Sequence, residues 1–158
     1  MENRVLNEKQ KLLIDSLPEE ILSVFYLTGG TALSAFYLEH RLSNDLDFFT
    51  DRDETVPRVE YLTAILQGLE GVNRTHFERL FDRRIFAVEF EDHDILKVEF
   101  TSYPFPSIED RIKAGRLPVD SPLNIITGKL LALSDRYDPK DFVNLLVSFP
   151  RSGVGTQV

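Results

Sequence analysis

The chain has 158 residues, of which 42% are hydrophobic and 28% are charged, and this balance is typical of one folded globular domain. Its formal net charge of −8 argues against an extended nucleic-acid surface, which needs clustered Lys and Arg. The absence of cysteine excludes disulfides, zinc–thiolate sites and thiol nucleophiles. Since no stretch approaches the roughly 20 apolar residues of a membrane span and the N-terminus lacks a secretory signal, we expect a cytoplasmic protein with no membrane partner.

The N-terminal part of the chain predicts three helices and a short strand. We predict helices over residues 8–17, 18–24 and 31–39 and a strand over residues 25–27. Pro18 separates the first two helices, because proline interrupts a helix and is favoured at the start of the next one. Gly29 and Gly30 form the turn between the strand and the third helix.

This glycine turn is a candidate phosphate site. Two glycines at the start of a helix let backbone N–H groups approach an anion, and the positive end of the helix dipole faces that anion. We therefore predict that Gly29, Gly30 and Thr31 bind phosphate. The alternative is an ordinary tight turn, in which Thr31 only caps the helix.

The next strand, over residues 46–49, is predicted to carry two carboxylates on one face. Side chains two residues apart in a strand point to the same side, so Asp45 and Asp47 share one face and Leu46 and Phe48 the other. Two such carboxylates can share a hard divalent cation. A solvated strand face is the alternative. The phosphate turn and the carboxylate pair together indicate nucleotide chemistry.

A third carboxylate is predicted to join this pair. We predict a helix over residues 57–69 and strands over residues 84–90 and 95–102. In the last of these strands Lys97 and Glu99 lie on the face opposite Val98. If that strand pairs in register with the first carboxylate strand, Asp45, Asp47 and Glu99 converge on one face. The alternative for Glu99 is an exposed ion pair with Lys97.

The C-terminal third is predicted to be helical. Residues 107–110 resemble a capping box for a short helix, Ser121 and Pro122 cap and begin a longer one, and residues 138–147 form the last. The buried stripe of the longer helix is predicted to be Ile125, Ile126, Leu130, Leu131 and Leu133. The fold class is therefore α+β: a small mixed sheet with flanking helices, followed by C-terminal helices. Residues 1–104 form the core, residues 105–149 a helical part of the same domain or a short subdomain, and residues 150–158 a disordered tail.

Four segments, in chain order, resemble the motifs of a known family. Residues 29–33 with His40, Arg41, Ser43 and residues 45–49 resemble the first motif of the abortive-infection AbiEii-type nucleotidyltransferase toxins, in the DNA polymerase β-like superfamily. Residues 97–99 resemble the second motif, Lys129 and the residues after it the third, and residues 140–145 the fourth. Departures from the family pattern are Glu99 and Asn144, where aspartate is commoner, Lys140 in place of arginine, and a shorter C-terminal region.

The resemblance implies a polymerase β-like fold and a reaction. It implies transfer of a nucleoside monophosphate from a nucleoside triphosphate to an acceptor hydroxyl, with two Mg²⁺ (or Mn²⁺) ions held by Asp45, Asp47 and Glu99 as catalytic ligands. Gly30 and Thr31 would position phosphates, and Lys129 and Asp141 would also contact the nucleotide. By resemblance the acceptor is an RNA 3′ end, such as that of tRNA, or a protein hydroxyl, and the protein is the toxin of a type IV toxin–antitoxin system with a cognate antitoxin.

Two other functions stay open at this point. One is a nucleotidyltransferase that modifies a small molecule, such as an antibiotic hydroxyl. The other is a nucleotide-binding module without turnover, which the departures at Glu99 and Asn144 and the short C-terminus keep open. For single residues, Lys129 can instead extend from an apolar helix face to water, and Asp141 can support the first turn of a helix.

Overall fold

A computed structural model describes residues 5–38, 42–52 and 56–135 of the protein. The helices are α1 Glu8–Ser16, α2 Glu19–Leu22, α3 Gly29–Leu33, α4 Val59–Gln67 and α5 Pro122–Asp135. The strands are β1 Tyr26–Thr28, β2 Asp45–Thr50, β3 Val72–Leu80, β4 Arg83–Phe90, β5 Ile95–Ser102, β6 Ile112–Ala114 and β7 Leu117–Val119. A π-helical turn, Ser34–Leu38, continues α3. None of the described helices is long and apolar enough to cross a membrane.

The strands form one mixed sheet in the order β3-β4-β5-β2-β1-β7-β6. The pairs β2–β5 and β1–β7 are parallel, and the other neighbours are antiparallel. The predicted α+β class is confirmed. The helices and strands predicted between residues 8 and 102 are also confirmed, with most ends shifted by one or two residues.

One face of the sheet packs on the N-terminal helices and on α4 to form the core. Phe100 lies at its centre, with its ring centroid 5.3 Å from those of Phe25 and Phe48 and 6.1 Å from that of Phe86. Leu46 and Phe48 on β2 are fully buried there, as are Val98 and Phe100 on β5. The predicted alternation of the two strands is therefore confirmed, and the opposite face is available for polar side chains.

The predicted short helix at residues 107–110 is wrong. The backbone N–H groups of Ile108 and Glu109 donate instead to Oδ1 of Asn124, at 2.8 and 3.2 Å. The side chain of Asn124 thus supplies the acceptor that a helical turn would have supplied. Beyond this segment, β6 and β7 continue the sheet through the pairing of β7 with β1, so residues 105 onward begin with strands of the same sheet.

The longer C-terminal helix begins as predicted but presents a different face. Ser121 Oγ accepts from the backbone N–H of Asn124 at 3.1 Å, which confirms the cap. Of the predicted buried stripe, Ile125 is buried, but Leu130 is 53% and Leu131 51% exposed. Lys129, four residues after Ile125 and so on the same helical face, is buried instead. The predicted helix over residues 138–147 and the tail at 150–158 lie outside the described residues.

Candidate active site

The sheet face opposite the core opens onto a cavity of about 850 Å³. The polar groups of its wall come from the glycine turn, which is the first turn of α3, from β2, β4 and β5, and from α5. They include Gly29, Gly30, Asp47, Arg83, Glu99 and Lys129. A concave space of this size with a few converging polar groups is typical of a small-molecule site.

The glycine turn and the second aspartate are in direct contact. Thr28, just before the turn, pairs with Asp47 across the antiparallel β1–β2 ladder. Gly29 has a φ of +74°, and a Cβ built there would overlap Oδ2 of Asp47 and lie 3.2 Å from its Cγ. Glycine is therefore required at position 29 both by its backbone conformation and by the closeness of the carboxylate.

The three predicted carboxylates lie on neighbouring strands, and these strands pair as the prediction required. Asp45 pairs with Lys97 and Asp47 with Glu99 across the parallel β2–β5 ladder. Burial, followed by the negative charges of Glu99 and Asp45, raises the pKa of Asp47 to about 7, while Lys97 and Lys129 act in the opposite direction. Negative charge is thus in excess around Asp47, and a bound cation would relieve it.

Glu99 is held by a residue that the sequence analysis did not single out. Nε and Nη2 of Arg83 donate to Oε1 and Oε2 of Glu99, each at 2.6 Å, and Thr101 Oγ1 donates to Oε1 at 2.6 Å. Burial disfavours the charged form, but these hydrogen bonds hold the pKa of Glu99 below its ordinary value. The ion pair that was the alternative reading of Glu99 therefore exists, with Arg83 as the partner in place of Lys97, and it is largely buried.

The donor groups fit a divalent cation only in part. Within residues 5–38, 42–52 and 56–135, no three His, Cys, Asp or Glu side chains form a metal-binding group. The carboxylates of Asp45 and Asp47 have the right chemistry for such an ion, and of the two Asp47 lines the cavity. Lys97 Nζ lies 3.9 Å from Asp45 Oδ2. Glu99 does not fit as the third ligand, because its oxygens are taken up by Arg83.

Thr31 lies away from the cavity, contrary to its predicted phosphate contact. Its side chain is buried, and its hydroxyl donates to the backbone carbonyl of Asp45. The hydroxyl therefore ties α3 to the start of β2. Thr28, just before the two glycines, lines the cavity, and its hydroxyl donates to Asp120 Oδ2 at 3.0 Å.

Replacement of Thr31 by valine tests this reassignment. We expect Thr31→Val to lower the free energy of unfolding by about 1 kcal/mol, the typical contribution of one hydrogen bond, and to leave nucleotide affinity within twofold of the original. Urea denaturation and titration with a fluorescent nucleotide measure the two quantities. A large loss of affinity at unchanged stability would restore the predicted phosphate contact.

Lys129 is a cation that α5 contributes to the wall of the cavity. It lies on α5, is buried, and lines the cavity, and its charge lowers the pKa of Asp47. The structure thus places a cation where the sequence analysis expected one, and not on the solvent side of the helix. His40, Arg41 and Asp141 lie outside the described residues.

A second wall of the cavity is aromatic, and the sequence analysis did not anticipate it. The ring of Tyr103 lies 5.5 Å from that of Phe49 and 4.6 Å from that of Phe105, measured between centroids. All three residues line the cavity. Such a surface can stack a planar base with little preference for which base it is. Phe105 lies just beyond the last predicted strand, so no periodicity indicated it.

Three solved structures illustrate the likeness of this fold to known ones. JHP933 from Helicobacter pylori has a TM-score of 0.62 at 22% identity, over 89% of this chain and 66% of its own. MenT4, a nucleotidyltransferase toxin from Mycobacterium tuberculosis, has 0.53 at 17%, over 84% and 55%. The Megavirus polyadenylate synthase has 0.58 at 16%, over 89% and 31%. The chain spans less than two thirds of each, and the likeness defines the fold as that of the nucleotidyltransferases.

The family follows from the sequence itself. The family described as nucleotidyl transferase AbiEii toxin, Type IV TA system, matches residues 17–147. Because this match covers most of the chain, the chain belongs to that family, and the resemblance drawn from the four motifs is confirmed. The comparison with curated proteins gave no match.

Proposed function

We propose that the protein transfers a nucleoside monophosphate from a nucleoside triphosphate to an acceptor hydroxyl, with Mg²⁺ or Mn²⁺. In this reaction the acceptor oxygen forms a bond to the α-phosphorus, the bond from that phosphorus to the bridging oxygen breaks, and pyrophosphate leaves. The hydroxyl proton is lost to solvent. The observation that carries the proposal is the contact of Asp47 with the turn at Gly29, in a cavity that also contains Lys129.

In this proposal some residues of the site bind the divalent cation and others bind the phosphates. Asp45 and Asp47 would hold the divalent cation. When bound, the cation supplies charge neutralisation and lowers the pKa of the acceptor hydroxyl. The backbone N–H groups of Gly29 and Gly30 would bind the phosphates, and Lys129 would offset the charge that develops on the leaving pyrophosphate.

The rest of the nucleotide is proposed to occupy the aromatic wall. Tyr103 and Phe105 would stack the base, and stacking alone gives little preference among bases. Asp141 is proposed as a further nucleotide contact from its place in the fourth motif.

The biological setting is proposed from the family. Its description names a toxin of a type IV system, and MenT4 is described as a nucleotidyltransferase toxin. We propose that this protein is likewise a toxin restrained by a cognate antitoxin, with an RNA 3′ end or a protein hydroxyl as acceptor. With a net charge of −8, an RNA acceptor would enter by its end and not along an extended surface.

Incubation with α-labelled nucleoside triphosphates, Mg²⁺ and total tRNA tests the function. Label on RNA or on protein, lost in Asp45→Asn, is the expected result. Label on a small-molecule hydroxyl would favour the antibiotic-type alternative. Tight Mg²⁺-dependent nucleotide binding without transfer to any acceptor would favour the module without turnover.

Replacement of Lys129 by methionine tests the proposed pyrophosphate contact. We expect Lys129→Met to lower the transfer rate about 10- to 100-fold, because it removes a charge that acts mainly in the transition state. The fold should persist, because methionine keeps the length and apolar stem of the side chain. Lys113→Met, on the exposed strand β6, is the matched control and should leave the rate unchanged. Equal rates for both variants would contradict the assignment.

A further inference from the structure

Arg83 and Glu99 form a two-pronged ion pair in the wall of the cavity, in which Glu99 is buried and Arg83 is partly exposed. Arg83 opens β4 and lies opposite Thr101 in the β4–β5 ladder. Its guanidinium meets both oxygens of Glu99 at 2.6 Å, and Thr101 Oγ1 donates to one of them. Three of the roughly four acceptor positions of the carboxylate are therefore occupied.

This arrangement removes Glu99 from the set of metal ligands. Glu99 is only 3% exposed, so its charge depends on its partners, and loss of Arg83 would leave a buried charge unpaired. A divalent cation at Glu99 would also lie beside a guanidinium of the same sign. Glu99 is therefore engaged in an ion pair with Arg83 and is poorly suited to coordinate a metal ion.

Arg83 nevertheless faces the cavity. Its side chain is 27% exposed, and it lines the same space as Gly30 and Lys129. The hydrogen bonds to Glu99 use Nε and Nη2, and among the described residues no hydrogen bond involves Nη1. The hydrogen bonds to Glu99 also raise the pKa of Arg83, so its charge is permanent.

We propose that Arg83, fixed by Glu99, binds the triphosphate chain of the nucleotide as a built-in cation. Glu99 is then a positioning residue, and the divalent cation site consists of Asp45 and Asp47 without it. A guanidinium suits this task because it is planar, always charged and able to bind phosphate oxygens through several N–H groups. The identity of the ligand as a nucleoside triphosphate rests on the proposed function. The anion-binding role rests on the geometry of the pair.

Binding of inorganic tripolyphosphate in EDTA, measured by calorimetry, tests the anion site without metal or catalysis. We expect Arg83→Gln to weaken binding at least 10-fold and Glu99→Gln to weaken it several-fold, because Arg83 loses its anchor. Arg84→Gln removes the same charge from the opposite face of β4 and should stay within twofold. Arg83→Lys keeps the charge but cannot span both Glu99 oxygens, so we expect an intermediate loss of tripolyphosphate affinity. This variant replaces Arg83→Gln in the test if Arg83→Gln does not fold.

Binding of Mn²⁺ alone, followed by electron paramagnetic resonance, tests the role of Glu99. We expect Glu99→Gln to keep its Mn²⁺ affinity within twofold and Asp45→Asn to lose it. The proposal is overturned if Glu99→Gln abolishes Mn²⁺ binding, if Arg83→Gln binds tripolyphosphate as well as the original, or if the unsubstituted protein does not bind it. Since neither measurement involves label transfer, a failure of transfer with both sites intact would count against the proposed function alone.

Discussion

Replacement of Asp47 by asparagine is expected to abolish transfer and at the same time to make the protein more stable. Burial disfavours the charged form of this carboxylate, and the negative charges of Glu99 and Asp45 add to the effect, so that its pKa rises to about 7. Asparagine has the same shape without the charge, so it relieves that repulsion. A cation ligand is lost in the same step, and transfer should fall by about three orders of magnitude.

The stability gain has a defined pH dependence. The pKa of Asp47 is raised in the folded state from 3.8 to about 7, so the folded state favours the protonated form. The contribution of Asp47 to stability therefore falls as the pH rises through this window and is level above it. The advantage of Asp47→Asn should be small near pH 4 and reach about 1–2 kcal/mol at pH 8, less than the full shift implies because Asp47 keeps some contact with solvent.

Urea denaturation in EDTA at both pH values measures this effect, and the labelled-nucleotide assay measures transfer. Asp45→Asn is the matched control, because Asp45 has a side chain that is 40% exposed. It should lose transfer without a comparable gain in stability. An Asp47→Asn protein that is less stable than the original at pH 8 would contradict the charge crowding described here.

Replacement of Gly29 by alanine is expected to damage stability and transfer together. Alanine at a φ of +74° is strained, and its Cβ would overlap the carboxylate of Asp47. Either the turn or Asp47 must move. We expect a loss of about 2–4 kcal/mol in the free energy of unfolding and at least a 100-fold loss of transfer, because a small displacement of a catalytic group has a large effect.

Gly71→Ala separates the effect of backbone strain from the effect of the overlap with Asp47. Gly71 has the same φ of +74°, but a Cβ there would meet only Phe90 Cδ1, at an ordinary 3.9 Å. This variant should lose about 1 kcal/mol from backbone strain alone and keep full transfer. Thermal or urea unfolding and the transfer assay give both numbers. If Gly29→Ala and Gly71→Ala behaved alike, the contact between the turn and Asp47 would have no functional role.

The part of the site that could be predicted lies on strands with one buried face. Apolar and polar side chains alternate over residues 45–48 of β2 and 96–101 of β5, so the two faces of these segments follow from the sequence alone. A shift of their pairing by one residue would place the carboxylates of one strand on the core face, but a shift by two residues would not, so the register itself was a condition of the prediction. The glycine turn was recognisable because two adjacent glycines are uncommon at the start of a helix.

The partner of Glu99 was not predicted, because the predicted strand began at residue 84 and Arg83, which pairs with Thr101 on β5, lay outside it. Arg83 precedes the apolar alternation of β4 and is its first residue. The hairpin partner β3 is an edge strand, mostly exposed, so it shows no apolar periodicity and was not recognised as a strand. Without β3, nothing indicated that β4 begins early enough to place a guanidinium beside β5.

The segment after β5 was misjudged for a related reason. Strands β6 and β7 have three residues each, too few for alternation to be read. The capping-box pattern at residues 107–110 favours a helix locally. In the structure, however, the backbone N–H groups of Ile108 and Glu109 donate to the side chain of Asn124 on α5. A contact between segments so far apart in sequence is set by tertiary structure and not by local propensity.

The position of the transferred label distinguishes nucleotidyl transfer from transfer of the terminal phosphate. The protein would be incubated with Mg²⁺, total tRNA and nucleoside triphosphates labelled either at the α- or at the γ-phosphate. Nucleotidyl transfer predicts that the α-label appears on the acceptor and the γ-label in pyrophosphate, with both signals lost in Asp47→Asn. Transfer of the γ-label to the acceptor, or α-label transfer that survives in Asp47→Asn, would contradict the account.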